Sequence, residues 1–389
     1  MLQRLTLATA LSLASASLPA QAADKVKIGY VNTFTGPGGV FGKHYKDGFE
    51  LALDHAGRKF GSLPVEVVYG DDQLKPDIGK SITERMVERD RIDFLVGFNF
   101  SNVLLSSVDT AINAKVIVIS ANAGPSELAG AKCSPYFFGA GHQNDGAAEA
   151  MGQHLTQKKV DNVFLIAPNY QAGREILSGF KRSYKGTIAS ETYTQFTQND
   201  YAAELSQIRA TKPGAVFAFM PGATGINFIK QWTQAGLMEQ IPIYSTYTVD
   251  GVTAPAIGDA AVGALGANEW AEDFPNPESK KFVADFEGKF GYTPSIYAAK
   301  SYDTAMLVAS AVRQVNGRVE DRNAMIAALR KADFKSLRGN VKFNRNQFVI
   351  QDYHLIEAIR RPDGKVGFAT REKIVSGYSD HYADQCKMN

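Results

Sequence analysis

Cysteine is scarce, with only Cys133 and Cys386 in 389 residues. Their spacing fits neither a zinc site nor a C-x-x-C redox pair. The six histidines, His44, His55, His142, His154, His354 and His381, are isolated, so no H-E-x-x-H zinc helix exists. Charge of one sign is lacking too. There are 42 Lys and Arg against 40 Asp and Glu, a net of +2, with no long run of either. A nucleic-acid binder would show a basic stripe to neutralise phosphate, and that class is excluded. The 35 Gly and 15 Pro follow no period, which excludes collagen-like and low-complexity chains. After the first twenty residues no apolar run is long enough to span a bilayer.

Catalytic signatures are missing as well. Gly36–Lys43 has the look of a phosphate loop, but Pro37 and His44 stand where Gly and Ser/Thr are needed. No G-x-G-x-x-G follows the first strand pattern, and no G-x-S-x-G occurs. Asp71 and Asp72 resemble a metal pair, but adjacent acids after a strand read more simply as a solvated loop. No catalytic group, metal or cofactor is expected.

What remains is an ordinary globular composition, 44% apolar and 21% charged, in a chain long enough for two or three domains. The N-terminus reads as a cleaved secretory signal over residues 1–22. Arg4 precedes an uncharged Leu/Ala/Ser stretch, and Ala20-Gln21-Ala22 supplies the small-x-small cleavage site. An exported chain meets an oxidising compartment, where Cys133 and Cys386 are expected to pair and pin the tail.

From residue 24 onward short β-rich apolar runs alternate with helical ones. Lys25–Val31, Val65–Tyr69, Ile92–Val96 and Val116–Ser120 read as strands, with a helix over Ser101–Asn113. The rhythm restarts after Pro135 with Val163–Ala167, Thr187–Thr192, Ala215–Phe219 and Ile241–Ser245. Three helices are then expected without a full strand between them: Glu278–Phe290, Tyr297–Asn316 and Asp321–Ala332. A final β-rich pair, Tyr353–Ile359 and Val366–Ala369, flanks Pro362-Asp363-Gly364. This is an α/β chain of two Rossmann-like lobes, each a parallel sheet flanked by helices, joined by a hinge. The lobes are expected at 24–137 plus 268–343 and at 138–267 plus 344–376, with 377–389 as a tail. Such sheets bind ligands beyond their strand ends, so the residues just after each strand carry the site.

Those residues resemble a known family. Thr33-Phe34-Thr35-Gly36-Pro37 followed by Phe41-Gly42 is similar to the first loop of type I periplasmic solute-binding proteins, in the branched-chain amino acid class of ABC importers. Phe94–Ser101, Val118–Ala123 and Ser301-Tyr302-Asp303 resemble later signatures in the right order. The resemblance implies a monomeric, non-enzymatic protein that closes on a small organic carboxylate and delivers it to a membrane permease. A sensor presenting its ligand to a membrane receptor is the alternative.

Ser101 is expected at the N-cap of its helix, where free N–H groups and the helix dipole favour a carboxylate. The expected ligand-binding set is Phe41, Asn99, Ser101, Asn122, Ala123, Gly124, Tyr170, Thr246, Tyr247 and Tyr297. Two departures bear on the ligand. Gly124 stands where amino acid binders place a Thr hydroxyl, and Thr246 or Tyr247 stands where they place an acid for the ammonium. Asp250 would serve only with a shifted loop. A buried ammonium without a partner is costly. The aromatics Phe41, Phe98, Tyr170, Tyr247 and Trp270 suit a ring instead, such as a benzoate or hydroxycinnamate, while hydrophobic amino acids remain open.

Overall fold

Short runs that are apolar at every position mark strands covered on both faces, and this chain has many of them. The computed structural model describes residues 23–36 and 38–388; the expected signal segment and Pro37 lie outside the described residues. The first sheet holds β1 (Val26–Asn32), β2 (Lys59–Phe60), β3 (Leu63–Asp71), β4 (Phe94–Gly97), β5 (Ile117–Ser120) and β6 (Phe137–Gly139). Its order is β2-β3-β1-β4-β5-β6, parallel except for the short β2–β3 pair. The chain leaves β1 toward β3 and returns on its other side as β4, so the switch point lies at the ends of β1 and β4.

The second sheet holds β7 (Val163–Pro168), β8 (Ile188–Thr194), β9 (Ala215–Ala218), β10 (Ile243–Ser245), β11 (Leu265–Asn268), β12 (Lys342–Phe343), β13 (Val349–Arg360) and β14 (Val366–Tyr378). Its order is β12-β13-β11-β10-β9-β7-β8, with β14 antiparallel on β13. Its switch point lies between β7 and β9. Strand β11 was not expected. Its sequence, Leu-Gly-Ala-Asn, has low strand propensity, and only its parallel pairing with β10 and antiparallel pairing with β13 hold it extended.

The helices are α1 (Gly39–His55), α2 (Pro76–Arg85), α3 (Ser101–Asn113), α4 (Ser126–Ala129), α5 (Gly146–Gln157), α6 (Gln171–Ser183), α7 (Ala202–Thr211), α8 (Ala223–Gln234), α9 (Ala254–Ile257), α10 (Pro277–Phe290), α11 (Ile296–Gln314) and α12 (Arg322–Lys331). Helices α10 to α12 pack into the same apolar cluster as the first sheet. The α1–α11 contact is close enough that a Cβ on Gly48 would stand 2.2 Å from the Ala298 carbonyl oxygen. Helix α11 is buried nearly all round, so its Lys300, Ser301 and Asp303 are interior groups that need partners.

The chain passes between the sheets three times, at 139–145, 268–272 and 332–341. Buried Arg338, in the third passage, braces it against the first passage, α11 and β13. Its guanidinium donates to Asp303 Oδ2 at 2.9 Å, to the carbonyls of Gly141 and Ala140 at 2.7 and 2.8 Å, and to Gln351 Oε1 at 2.6 Å. Cys133 and Cys386 form a disulfide with Cα atoms 5.6 Å apart, tying the tail beside α4. Asp71 and Asp72 tie the first loop. Asp71 accepts from the Phe34 and Thr35 amides, and Asp72 from the Thr33 hydroxyl and the Leu74 amide. Among the described residues no group of His, Cys, Asp and Glu is arranged to hold a metal, and no helix is long and apolar enough to cross a membrane.

Candidate functional site

The two switch points face each other across one cavity. From the first sheet come Phe41, Asn99, Phe100, Ser101, Asn122 and Ala123; from the second come Tyr170, Phe219, Pro221 and Tyr247. Tyr297 of α11 and His142 and Asn144 of the first passage complete the floor. Of the expected site residues, Gly124 and Thr246 are not among the lining. A Cβ on Gly124 would stand 2.0 Å from the His142 carbonyl oxygen, so this position is glycine for packing. Thr246 is fully buried and its hydroxyl donates to the Ala267 carbonyl at 3.2 Å. Phe98 is a core residue at φ 60°, and Trp270 donates its indole N–H to Ser279 Oγ at 2.8 Å, away from the cavity.

One end of the cavity is rich in donors. Ser101 is the first helical residue of α3 rather than its cap. Phe100 holds the N-cap position and supplies no side-chain acceptor, so the first N–H groups of α3 are left for a ligand. Ser101 Oγ accepts from Asn144 Nδ2 at 3.1 Å, which frees the hydroxyl proton to point elsewhere. Asn99 Oδ1 accepts from the Tyr45 hydroxyl at 3.0 Å and from Asn122 Nδ2 at 3.2 Å. Asn99 Nδ2 is buried with no partner. The next loop contributes less than expected. Ala123 N–H is spent on the Phe98 carbonyl and Gly124 N–H on Asn144 Oδ1, at 3.0 Å each.

The walls are aromatic. Phe41 meets Tyr297 edge-on at 4.7 Å between centroids and Phe100 at 6.1 Å, while Tyr170 lies stacked at 6.2 Å from Phe219. No carboxylate is among the lining residues described. Asp250 lies behind Tyr297, accepting its hydroxyl at 2.8 Å and the amides of Val252 and Thr253, and burial pushes its carboxyl up. It does not stand in for an ammonium partner.

Beneath the cavity lies a buried ion pair that sequence reasoning missed. Lys300 Nζ is 3.1 Å from Glu269 Oε1, both side chains being 0% exposed. Lys300 also reaches His142 Nδ1 at 2.9 Å, and Tyr247 donates its hydroxyl to Glu269 Oε1 at 2.7 Å. Burial pushes the Lys300 ammonium down to about 8, with Glu269 opposing the fall. Burial and the neighbouring cations Lys300 and Arg338 hold His142 well below its usual value, so it is neutral.

Two facing switch points around one cavity are the architecture of a two-lobed binding protein, and the family profile described as "Periplasmic binding protein" matches residues 25–364. The chain belongs to that family. Leu/Ile/Val-binding protein homolog 6 of Brucella melitensis is 25% identical to this periplasmic binding protein over 366 residues, covering 92% of this chain and 93% of the relative. Among solved structures, a solute-binding protein of an ABC transporter from R. palustris, in complex with benzoate, superposes with a TM-score of 0.88. It is 27% identical and covers 94% of this chain and 100% of that one. Another, from Rhodopseudomonas palustris BisB5 in complex with 3,4-dihydroxy benzoic acid, gives 0.87 at 25% identity, covering 92% and 99%. The present binding protein is thus of the ABC-importer solute-binding type. Its relatives are binding proteins.

Proposed function

We propose that this protein captures a small aromatic monocarboxylate in the periplasm and hands it, unchanged, to an ABC permease. One observation carries the reading. The cavity joins a donor-rich end, made by the start of α3 and the unpartnered Asn99 amide, to aromatic walls that include no carboxylate. A carboxylate is satisfied there and a ring is enclosed, whereas the ammonium of an amino acid would be buried without a counter-charge. The benzoate-bound relative supports the same ligand class. Ser101 bonds to an amide and not to a base, which supports binding without turnover.

In this reading Phe41, Asn99, Ser101, Tyr170, Tyr247 and Tyr297 contact the ligand, with Asn122 and Ala123 shaping the donor end. The lobes are 24–137 plus 268–343 and 138–267 plus 344–376, a division the two sheets support except at two edges, where β6 carries the first sheet on to Gly139 and β12 at Lys342–Phe343 already pairs in the second. The chain acts as a monomer, exported with loss of residues 1–22.

Thermal unfolding of the mature chain with benzoate, 4-hydroxybenzoate, p-coumarate and leucine tests the proposal. Ligand at 100 times its Kd adds about 2.7 kcal/mol of stability. At least one aromatic acid is expected to raise Tm, with the rise reduced in Ser101→Ala. A leucine response with no aromatic-acid response would overturn the reading.

A further inference from the structure

The aromatic-acid reading leaves the buried Lys300–Glu269–His142 group without a task, although such a group is expensive to maintain. Lys300 enters from α11, Glu269 from the second passage and His142 from the first. An ammonium has three donors and no lone pair. Here its acceptors are His142 Nδ1 at 2.9 Å, Glu269 Oε1 at 3.1 Å and Asn122 Oδ1 at 3.4 Å. His142 Nδ1 also stands 3.5 Å from Glu269 Oε1 without a hydrogen bond, so the closer ammonium decides: Nδ1 accepts, and the single proton of the neutral ring sits on Nε2. Among the described residues Nε2 makes no hydrogen bond to the protein, and His142 lines the cavity. Tyr247 stacks on the imidazole at 4.9 Å between centroids and 23° between planes, and Lys300 Nζ lies 4.7 Å from the Tyr247 ring centroid. The ring is thus clamped in one orientation.

This donor is separate from the start of α3. Asn122 stands between the two, its Nδ2 on Asn99 and its Oδ1 on Lys300. The local charges cancel, Lys300 against Glu269 and Arg338 against Asp303, and Asp250 behind Tyr297 is pushed toward its neutral form by burial. A second carboxylate would arrive without a counter-charge. A neutral oxygen would meet a waiting N–H.

Resting on the aromatic-carboxylate reading, we infer that His142 recognises a hydroxyl on the ligand ring through its Nε2–H, and that Lys300 and Glu269 are positioning residues that fix this tautomer. The preferred cargo is then a hydroxylated aromatic monocarboxylate, distinguished from the bare ring acid.

Calorimetric titration of benzoate, 3-hydroxybenzoate and 4-hydroxybenzoate into the wild type and His142→Phe tests this. A buried donor left unpaired by benzoate gives an expected preference of about 10-fold or more for one hydroxylated isomer. In His142→Phe that preference falls to about 2-fold or less, because the ring and its stacking stay while the donor goes. Hydroxylated isomers binding no tighter than benzoate to the wild type, or a preference that survives in His142→Phe, overturn the inference and leave the aromatic-acid reading standing. Failure of all three acids to bind overturns the inference, and failure of p-coumarate as well overturns both. For the positioning role, imidazole 15N shifts of the wild type are expected to show the proton on Nε2; a proton on Nδ1 refutes it without any variant. In Lys300→Met/Glu269→Gln, which leaves no orphan charge, the tautomer is expected to become mixed and the hydroxyl preference to shrink while benzoate affinity holds. An unchanged tautomer there refutes the role of the pair.

Discussion

Removing the Arg338 guanidinium should loosen the joint between the lobes more than any surface change would. Its side chain is 1% exposed, as is that of its partner Asp303. Arg338→Met keeps the apolar stem but strips four hydrogen bonds, and the losses are unequal. Gly141 O retains the Gln351 amide at 3.1 Å, and Asp303 retains Ser336 Oγ at 2.6 Å and the Leu337 amide at 2.9 Å. What cannot be replaced is the counter-charge of Asp303. Breaking a buried pair from one side costs about 3–5 kcal/mol, mostly as the penalty of the charge left behind. Arg338→Met/Asp303→Asn removes that charge and is expected to recover about 2 kcal/mol of the loss. Urea unfolding of the wild type, both single variants and the double variant measures the cycle directly. Arg338→Met within about 1 kcal/mol of wild type, or a double variant no more stable than Arg338→Met, would refute the reasoning.

Asp72 gives a pH signature. Burial pushes its carboxyl from 3.8 up to about 6, and its Oδ2 is buried without a partner, as suits a protonated oxygen. The folded chain keeps a proton that the unfolded chain releases between pH 4 and 6, so this group's contribution falls as pH rises through that window and is flat above it. Asp72→Asn is expected to gain on the wild type by up to about 3 kcal/mol between pH 4 and pH 7; a difference independent of pH refutes it. Reduction of Cys133–Cys386, which closes a separation of 253 residues, is expected to cost about 2–5 kcal/mol in urea unfolding. Ligand affinity should hold because neither cysteine lines the cavity, and an unmoved urea midpoint on reduction refutes the account.

Much of the fold was legible because interior parallel strands write themselves as unbroken apolar runs. Phe94–Gly97, Ile117–Ser120 and Ala215–Ala218 are buried at every position. Strands that depend on neighbours left no such trace. Phe137–Gly139 has only three residues, and Leu265–Asn268 contains Gly and Asn. The missed site residues follow from those missed strands. His142 and Asn144 stand after Phe137–Gly139, and Glu269 immediately after Leu265–Asn268, so inspecting the residues beyond each strand could not find them. Pro221 follows a strand that was read, and the same rule would have found it; Phe219 was read as the last residue of that strand, which ends at Ala218. Lys300 is the harder case. Lysine is read as a surface residue by type, and only the apolar content of α11 on every face signals that its amine is interior.

Binding and closure are linked because the cavity borrows from both lobes and from the passages between them. Asn99 and Ser101 belong to the first sheet's switch point, Tyr170, Phe219 and Pro221 to the second's. Opening the cleft withdraws one set from the ligand, so an open form keeps the donor end but loses much of the aromatic enclosure. A ligand shifts such an equilibrium only by its difference in affinity for the two forms. Moving the population from 1:99 to 99:1 takes a difference of about 10,000-fold, or about 5.5 kcal/mol. For the proposed aromatic acid, covering one ring face against Tyr170 and Phe219 removes about half of the about 150–250 Å2 of a fully buried ring, worth about 2–3 kcal/mol at about 25 cal/mol per Å2, so the ring supplies part of that difference. In the proposed reading the donor end selects the carboxylate, and the ring, by what it touches across the cleft, contributes to closing it.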